Sequence, residues 1–513
     1  MTMTIEKTEK IGKMVKRGKM MAEKIVQNEN VPNEKDYAAL AVNEKALPKK
    51  NEDFSEWYNE LIERAQLSDK RYPIKGMNIW PAYGWKLMTN IDREIRKECD
   101  ATGHEEVYFP LLIPETEFKK EEEHIKGFSQ EVYWVTHGGK NKLEIPLLLR
   151  PTSETAMYPI FSIWVRSHAD LPLKIYQIVN TFRYETKQTR AFIRVREIHF
   201  FEAHTCHVDF EDAERQIKED LEIMKKIAKK LCLPYVLARR PDWDKFAGAY
   251  YTIGVDTLMP NGKALQLASI HQYKENFSKP YNITYETENG ERKYVHQTTY
   301  GMSERLVGAI VGVHGDDRGL ILPPAVAPIK VVIIPILAKG KQESVENEAR
   351  LLQKELQEAG LETKLDTRNL RPGSKFYDWE MKGVPLRLEL GPRDIKDNVV
   401  SYTRRDNDEK GTFPRGELVK KVNEILDKIS ENLWNRAQSI IDNGITQIDN
   451  LGGAKEQTGI LKMAWCGKES CGHKIEDATD KKILGVPVGV SLKGKCIVCG
   501  EETEIPIYVA GTY

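Results

Sequence analysis

Arg183, Glu185 and Arg194 fall within one short stretch, Thr181-Phe-Arg-Tyr-Glu-Thr-Lys-Gln-Thr-Arg-Ala-Phe-Ile-Arg-Val-Arg-Glu197. An apolar strand, Lys174 to Val179, leads into it, and a second, Ile193 to Phe201, leads out, so the pattern predicts a hairpin with a cationic tip. Guanidinium groups pair with phosphate oxygens through a planar fork, and a carboxylate accepts from an exocyclic amine. The tip therefore suits a nucleotide polyphosphate. An isolated Phe-Arg-x-Glu is more often a solvated turn, so the weight lies in what accompanies it.

Three further strings carry polar groups at telling spacings. Leu149-Arg-Pro-Thr-Ser-Glu-Thr155 precedes a predicted helix running to about His168. Thr or Ser followed by Glu is an ordinary helix start, yet Thr152 and Glu154 would equally offer an acceptor and a carboxylate to an amine. In Leu265-Gln-Leu-Ala-Ser-Ile-His-Gln272, strand alternation puts Ser269 and His271 on one face and Gln266 on the other unless a turn intervenes. Tyr300-Gly-Met-Ser-Glu-Arg-Leu-Val-Gly-Ala-Ile-Val-Gly-Val-His-Gly-Asp-Asp-Arg-Gly-Leu-Ile-Leu-Pro-Pro324 opens an apolar helix at Arg305, beside the helix end that favours anions. Near the C-terminus, Cys466-x4-Cys471 and Cys496-x2-Cys499 have the paired spacing of a tetrahedral thiolate cage for structural zinc. Cys99, Cys206 and Cys232 read as buried small hydrophobes.

The hairpin resembles motif two of the class II aminoacyl-tRNA synthetases. A helix from Pro81 to Glu98, feeding Val107 to Pro114 as a buried strand, resembles their motif one, the dimer element. The string ending in Gly-Leu-Ile-Leu-Pro-Pro resembles motif three as prolyl-tRNA synthetases write it. Thr-x-Glu, and Asn276-Phe-Ser-Lys279 after His271, are similar to the archaeal and eukaryotic form of that family. The resemblance spans roughly residues 54 to 513. It implies that Thr152 and Glu154 hold the secondary ammonium of L-proline, with Glu202 and His271 beside them, and that Phe200, His204 and Phe246 shape the small pocket. It implies that Arg183 bridges the proline carboxylate and the α-phosphate of ATP, that Glu185 accepts from the adenine amine, and that Arg194, Val195, Gln266, Ser269, Ser303 and Arg305 line the nucleotide. Catalysis would fall to Arg183 and Arg305 with Mg²⁺, and the product adenylate would pass to the terminal adenosine of a proline tRNA, at its 3′ hydroxyl. Position 269 is often Thr in relatives; Ser keeps the hydroxyl. The resemblance also implies a homodimer, and a terminal Tyr513 folded back toward the catalytic site.

Those residues need three kinds of scaffold. Phe54, Trp57, Tyr58, Leu61 and Ile62 mark an amphipathic helix, and strand-length apolar runs broken by polar turns between Leu147 and Leu322 suit an antiparallel sheet flanked by helices. After Pro323-Pro324 the rhythm becomes strand–helix–strand, with strands at Val331–Ile336, Glu362–Leu365 and Pro385–Leu390. Helices are expected at Val345 to Ala359 and at Gly373–Lys382, which makes a small α/β unit. A helix over Leu418–Ile441 leads to the cysteines. The expected division is a polar extension over 1–50, an α+β class II catalytic core over 51–327, an anticodon-binding α/β domain over 328–430 and a zinc-bearing α+β domain over 431–513. Nine cations between Arg368 and Arg405 stand in the α/β domain, where Glu380, Lys382, Arg387 and Asp394 compete as anticodon contacts.

Lys and Arg number 77 against 77 Asp and Glu, so any nucleic acid must be met by local patches rather than by total charge. No run of about 18 apolar residues predicts a membrane span, and the lysine-rich start lacks the apolar core of a secretory signal, so a cytoplasmic location is expected. A sister class II synthetase for threonine, serine, glycine or histidine, and a catalytically silent tRNA-binding paralogue, are the alternative readings. The Thr-x-Glu loop and the Gly-Leu-Ile-Leu-Pro-Pro ending oppose the first. Intact Arg183, Glu185 and Arg305 oppose the second.

Overall fold

Apolar residues at helical spacing build the first helix, α1 (Phe54–Arg64), which buries Phe54, Trp57, Tyr58, Leu61 and Ile62 and is capped by Asp53 accepting from the Glu56 amide at 2.9 Å. The computed structural model describes residues 46–120, 131–337, 340 and 342–513. The polar extension expected over 1–50 lies outside the described residues as far as residue 45. Leu47 is already part of the core, and Lys50 Nζ donates to Gly315 O at 2.5 Å, so that segment joins the fold before residue 50.

Helix α2 (Ala82–Ala101) follows, then the short strands β1 (Glu105–Glu106) and β2 (Leu112–Pro114) and the one-turn helix α3 (Glu115–Phe118). The continuous buried strand expected over Val107–Pro114 does not form. Pro110 has no N–H to give a ladder, and side chains take over: Gln177 Oε1 accepts from the Phe109 amide at 3.1 Å, and Arg150 Nη1 donates to Phe109 O at 2.8 Å. Tyr108 is left 78% exposed.

The catalytic region continues with β3 (Tyr133–Gly138), β4 (Asn141–Leu149), α4 (Glu154–Trp164), β5 (Leu173–Phe182), β6 (Glu197–His207), α5 (Phe210–Lys230), β7 (Val236–Arg239), β8 (Tyr251–Leu258) and β9 (Lys263–Lys274). The small hairpin β10 (Thr284–Glu286) and β11 (Arg292–Tyr294), then β12 (His296–Ser303) and α6 (Arg305–His314), complete it. Strand β6 starts at Glu197, four residues later than the apolar pattern suggests. Ala191, Phe192 and Ile193 are buried in a turn with Phe192 at φ 62°, and a residue in the left-handed region cannot begin a strand.

The second unit has β13 (Val331–Pro335), α7 (Gln342–Glu358), β14 (Thr363–Leu365), α8 (Pro372–Met381), β15 (Leu386–Leu390), α9 (Pro392–Asp397), β16 (Val399–Arg404) and β17 (Lys410–Pro414). Its sheet runs β14-β13-β15-β16-β17, parallel across the first three and antiparallel after, as alternating strands and helices require. Ala359 falls just past α7 and is exposed. Helix α10 (Leu418–Gly444) leads to β18 (Ile445–Gln447), β19 (Ile460–Ala464), α11 (Glu469–Thr479), β20 (Lys482–Pro487), the short pair β21 (Gly494–Lys495) and β22 (Glu502–Thr503), and β23 (Pro506–Thr512).

The C-terminal strands do not make a sheet of their own. They extend the catalytic one, in the order β1-β5-β6-β12-β9-β8-β7-β20-β23-β19-β18. Strand β12 pairs with β9 from Ala268 onward, and β23 takes the edge left over, Gly511 opposite Lys263 and Thr512 opposite Ala264. Leu47 to Tyr513 accordingly form one compact unit. Among the described residues no helix is long and apolar enough to cross a membrane.

Candidate active site

Strand β9 shows how the site is assembled. Its register against β8 steps from Ala268 opposite Val255 to Gln266 opposite Asp256, leaving Leu267 as an extra residue. One added residue reverses side-chain parity, so Gln266, on the wrong face by simple alternation, joins Ser269 and His271 in the cleft. The cleft measures about 570 Å³ and is also lined by Thr152, Glu154, Arg183, Glu185, Arg194, Val195, Phe200, Phe246, Ser303 and Arg305.

At one end lie carboxylates and rings. Ser153 stands at the N-cap of α4, but no side chain caps the helix. Thr152 Oγ1 donates to Glu154 Oε2 at 2.6 Å instead, and Tyr273 OH donates to Glu154 Oε1 at 2.8 Å. The Ser153 hydroxyl goes to Glu202. Both candidate roles of the Thr-x-Glu loop thus separate: it begins a helix, yet its side chains face the cleft. Phe246 leans on His271 with ring centroids 4.6 Å apart, and His271 Nδ1 meets Thr252 Oγ1 at 2.9 Å. Burial, with His204 and Arg240 nearby, pushes the His271 imidazole down to about 3, so it is neutral at pH 7.

Glu202, expected beside Thr152 and Glu154, and His204, expected to shape the pocket, stand behind the residues that line the cleft. Both are fully buried beneath it. Glu202 already receives Ser153 N at 3.2 Å, Gln177 Nε2 at 3.0 Å and His204 Nε2 at 3.2 Å, which leaves its oxygens no room for a ligand. Burial alone would raise this carboxyl, but hydrogen bonds from His204, Ser153 and Gln177 outweigh it and hold it down to about 2. His204 responds in the opposite sense: burial works against its charge, and Glu202 more than restores it.

At the other end the cations gather. Arg183 Nε donates to Pro151 O at 3.3 Å and Arg305 Nε to Ile193 O at 3.0 Å, contacts that help to aim the guanidiniums. Burial, then Arg183 and Arg194, bring Arg305 down to about 10, still cationic at neutral pH. Glu304, just before it, is buried and pushed up to about 7 chiefly by that burial. Arg194 spans two parts of the chain, donating to Glu185 Oε2 at 2.6 Å and to Tyr513 O at 2.9 Å. Tyr513 OH reaches Asn261 Oδ1 at 2.9 Å, so the chain terminus closes the cationic end.

Sequence reasoning missed Tyr273, Ser153 and Gln177. Tyr273 was within reach of it, two residues beyond His271 on the same strand. The other two meet at Glu202, which belongs to a different element from either.

Cys466, Cys471, Cys496 and Cys499 hold their sulfurs within 4.8 Å of one another, with Cys499 and Cys466 at 3.8 Å, and none is in a disulfide. Thiolates around zinc at about 2.3 Å stand about 3.8 Å apart, so the four fit that ion. His473 lies outside this set and faces Glu469 and Glu476. Cys99, Cys206 and Cys232 are buried, as expected.

In the α/β unit most of the expected cationic face is spent internally. Arg368 pairs with Asp366, Arg387 with Glu380 and Glu389, Arg404 with Asp406, and Arg405 with Asp316 of the catalytic region. Lys375 is buried against Asp366, and Asp394 accepts from the Gly391 amide and from Ser401. Arg371, at the N-cap of α8, and Arg393 and Lys396, in α9, remain exposed.

Three family models match: "tRNA synthetase class II core domain (G, H, P, S and T)" over residues 133–314, "Anticodon binding domain" over 330–425 and "Prolyl-tRNA synthetase, C-terminal" over 448–513. A proline–tRNA ligase of Thermococcus kodakarensis is 55% identical over 90% of this chain and 98% of its own. One from Methanosarcina mazei is 52% identical over 92% and 99%. A solved structure, Giardia lamblia prolyl-tRNA synthetase in complex with prolyl-adenylate, superposes with a TM-score of 0.88 at 35% identity, covering 91% of this chain and 100% of that one.

Proposed function

The chain belongs to the prolyl-tRNA synthetases and couples ATP to the charging of tRNA with proline, and we propose that the single cleft described above performs both steps with a fixed division of labour. Its polarity carries this reading: buried Thr152, Glu154 and aromatic rings at one end, Arg183, Arg194 and Arg305 at the other. Glu154 takes the proline ammonium, with Thr152 orienting it. Phe200, Phe246 and neutral His271 enclose the ring. Glu202 and His204 act beneath them by fixing Ser153 and Tyr158, whose hydroxyl is 3.1 Å from His204 Nδ1.

Arg183, bonded to Pro151 O beside Thr152, holds the proline carboxylate against the α-phosphate. That carboxylate is a nucleophile at neutral pH, so no general base is required. One of its oxygens bonds to the α-phosphorus, pyrophosphate leaves, and Arg183 and Arg305 stabilise the charge that builds up. ATP enters as its Mg²⁺ complex, a substrate. Glu185, Gln266 and Ser269 take the adenosine, and the 3′ hydroxyl of the tRNA then displaces AMP from the adenylate. Exposed Arg371, Arg393 and Lys396 are offered to the tRNA phosphates in the anticodon domain.

The four cysteines hold one structural zinc, which ties α11 to the loop at Cys496. Metal analysis should find one equivalent per chain. Exposed Tyr108, Leu112, Ile163 and Trp164 support the homodimer, and the location is cytoplasmic. ATP–pyrophosphate exchange across a panel of amino acids tests the whole reading: exchange with proline is expected, and exchange led by threonine, serine, glycine or histidine would overturn it.

A further inference from the structure

The loop from Arg240 to Tyr250 joins β7 to β8 and carries Phe246 at the apolar end of the cleft. The Phe246 amide donates to Thr252 Oγ1 at 3.0 Å, the same hydroxyl that meets His271. Three residues earlier, Trp243 packs in a different place. It belongs to the core of the C-terminal region together with Met463, Trp465, Cys471, Ile475 and Ile483. Its ring lies 4.9 Å from His473 and 6.1 Å from Trp465, centroid to centroid. Gly472 of α11 makes this seat: a Cβ there would come within 2.5 Å of the indole. Glycine is a poor residue inside a helix, so this close approach gives it a reason to be there.

The loop's base is held by the same partner. Arg240 pairs with Asp256 at 2.8 Å and donates to Leu484 O, while Val486 and Pro487 of β20 continue the sheet from Arg239 and Ala238. Lys482, Ile483 and Leu484 of that strand line the cleft beside Asp244, Lys245 and Phe246. A loop anchored on both sides in this way cannot drift independently of α11.

We propose that Trp243 is a positioning residue for the proline pocket: seated against Gly472 and His473, it fixes the loop so that Phe246 stays on His271, and α11 thereby sets amino-acid binding. The proposal rests on Phe246 belonging to the proline pocket. Trp243→Ala and Gly472→Ala attack one contact from its two sides, and alanine is the better helix former, so the second change does not weaken α11 itself.

Steady-state exchange kinetics on the full chain should show KM for proline raised about tenfold in both variants, with KM for ATP within about twofold of wild type, because only binding at the amino-acid end is loosened. Trp243→Phe should recover most of the affinity. Should one variant fail to fold, the other decides. An unchanged proline KM in either folded variant, or proline and ATP KM rising together, overturns the proposal. Phe246→Ala separates the two levels. If it raises the proline KM while the other variants do not, the pocket stands and the clamp falls; if it has no effect, both fall.

Discussion

Arg183 and Arg305 are charges kept where burial opposes them. Arg183→Ala should reduce proline-dependent pyrophosphate exchange on the order of a hundredfold to a thousandfold, the equivalent of about 3 kcal/mol, while the melting temperature holds. Near wild-type exchange would remove Arg183 from the mechanism. Glu154→Gln should raise KM for proline well above any change for ATP, since its carboxylate is bonded to Thr152 and Tyr273 at the opposite end of the cleft from Arg194 and Arg305. Equal effects would return that loop to a purely structural role. Glu202 makes a pH-dependent contribution whose sign is fixed by its direction of shift. Its folded value, about 2, lies below the ordinary 4.5, so its stabilisation is complete above about 4.5 and is lost as pH falls toward 2. Thermal melts should therefore show Glu202→Gln less stable than wild type at pH 6, with the gap narrowing between pH 4.5 and 2. A gap that stays constant would mean that Glu202 is not ionised in the fold.

Two elements decide where those residues point. The bulge at Leu267 turns Gln266 into the cleft, and β23 brings Tyr513 to Arg194 along the free edge of β9. Arg194 holds Glu185 with one nitrogen and Tyr513 with the other, so Tyr513 is tied to the cationic end of the cleft. Deleting Tyr513 should weaken activation with the larger effect on KM for ATP, although 319 residues separate it from Arg194. Unchanged exchange kinetics for both substrates would reduce the terminal strand to packing.

Across the whole molecule, the segment from Glu202 to Ser303 is filled by β6, α5 and the strands up to β12, all continuous with the catalytic sheet or packed on it. No separate hydrolytic domain is inserted there among the described residues. Purified protein should therefore leave alanyl-tRNA of the proline type intact, and rapid clearance of that species would show a second site. Arg405 and Asp316 bridge the anticodon domain to the loop after α6, at 2.6 Å, which makes the two parts one mechanical body rather than beads on a linker.

What the sequence determined by itself was local. Apolar spacing placed α1, α2, α7 and α10, paired cysteines identified the thiolate set, and motif chemistry named Thr152, Glu154, Arg183, Glu185, Arg194 and Arg305 among the residues that line the cleft, because periodicity, metal-ligand spacing and charge type are properties of neighbours in the chain. What lay beyond its reach was parity, depth and continuity. A single extra residue in β9 reversed the face of Gln266, and Phe192 at positive φ delayed β6. Glu202 is engaged beneath the pocket by Ser153 and Gln177, from other elements, and His204 by Tyr158 and Glu202 itself. The C-terminal strands joined the catalytic sheet because β20 pairs with β7 and β23 takes the end of β9 that β12 leaves unpaired, and an unpaired strand edge accepts whichever chain the tertiary fold brings to it.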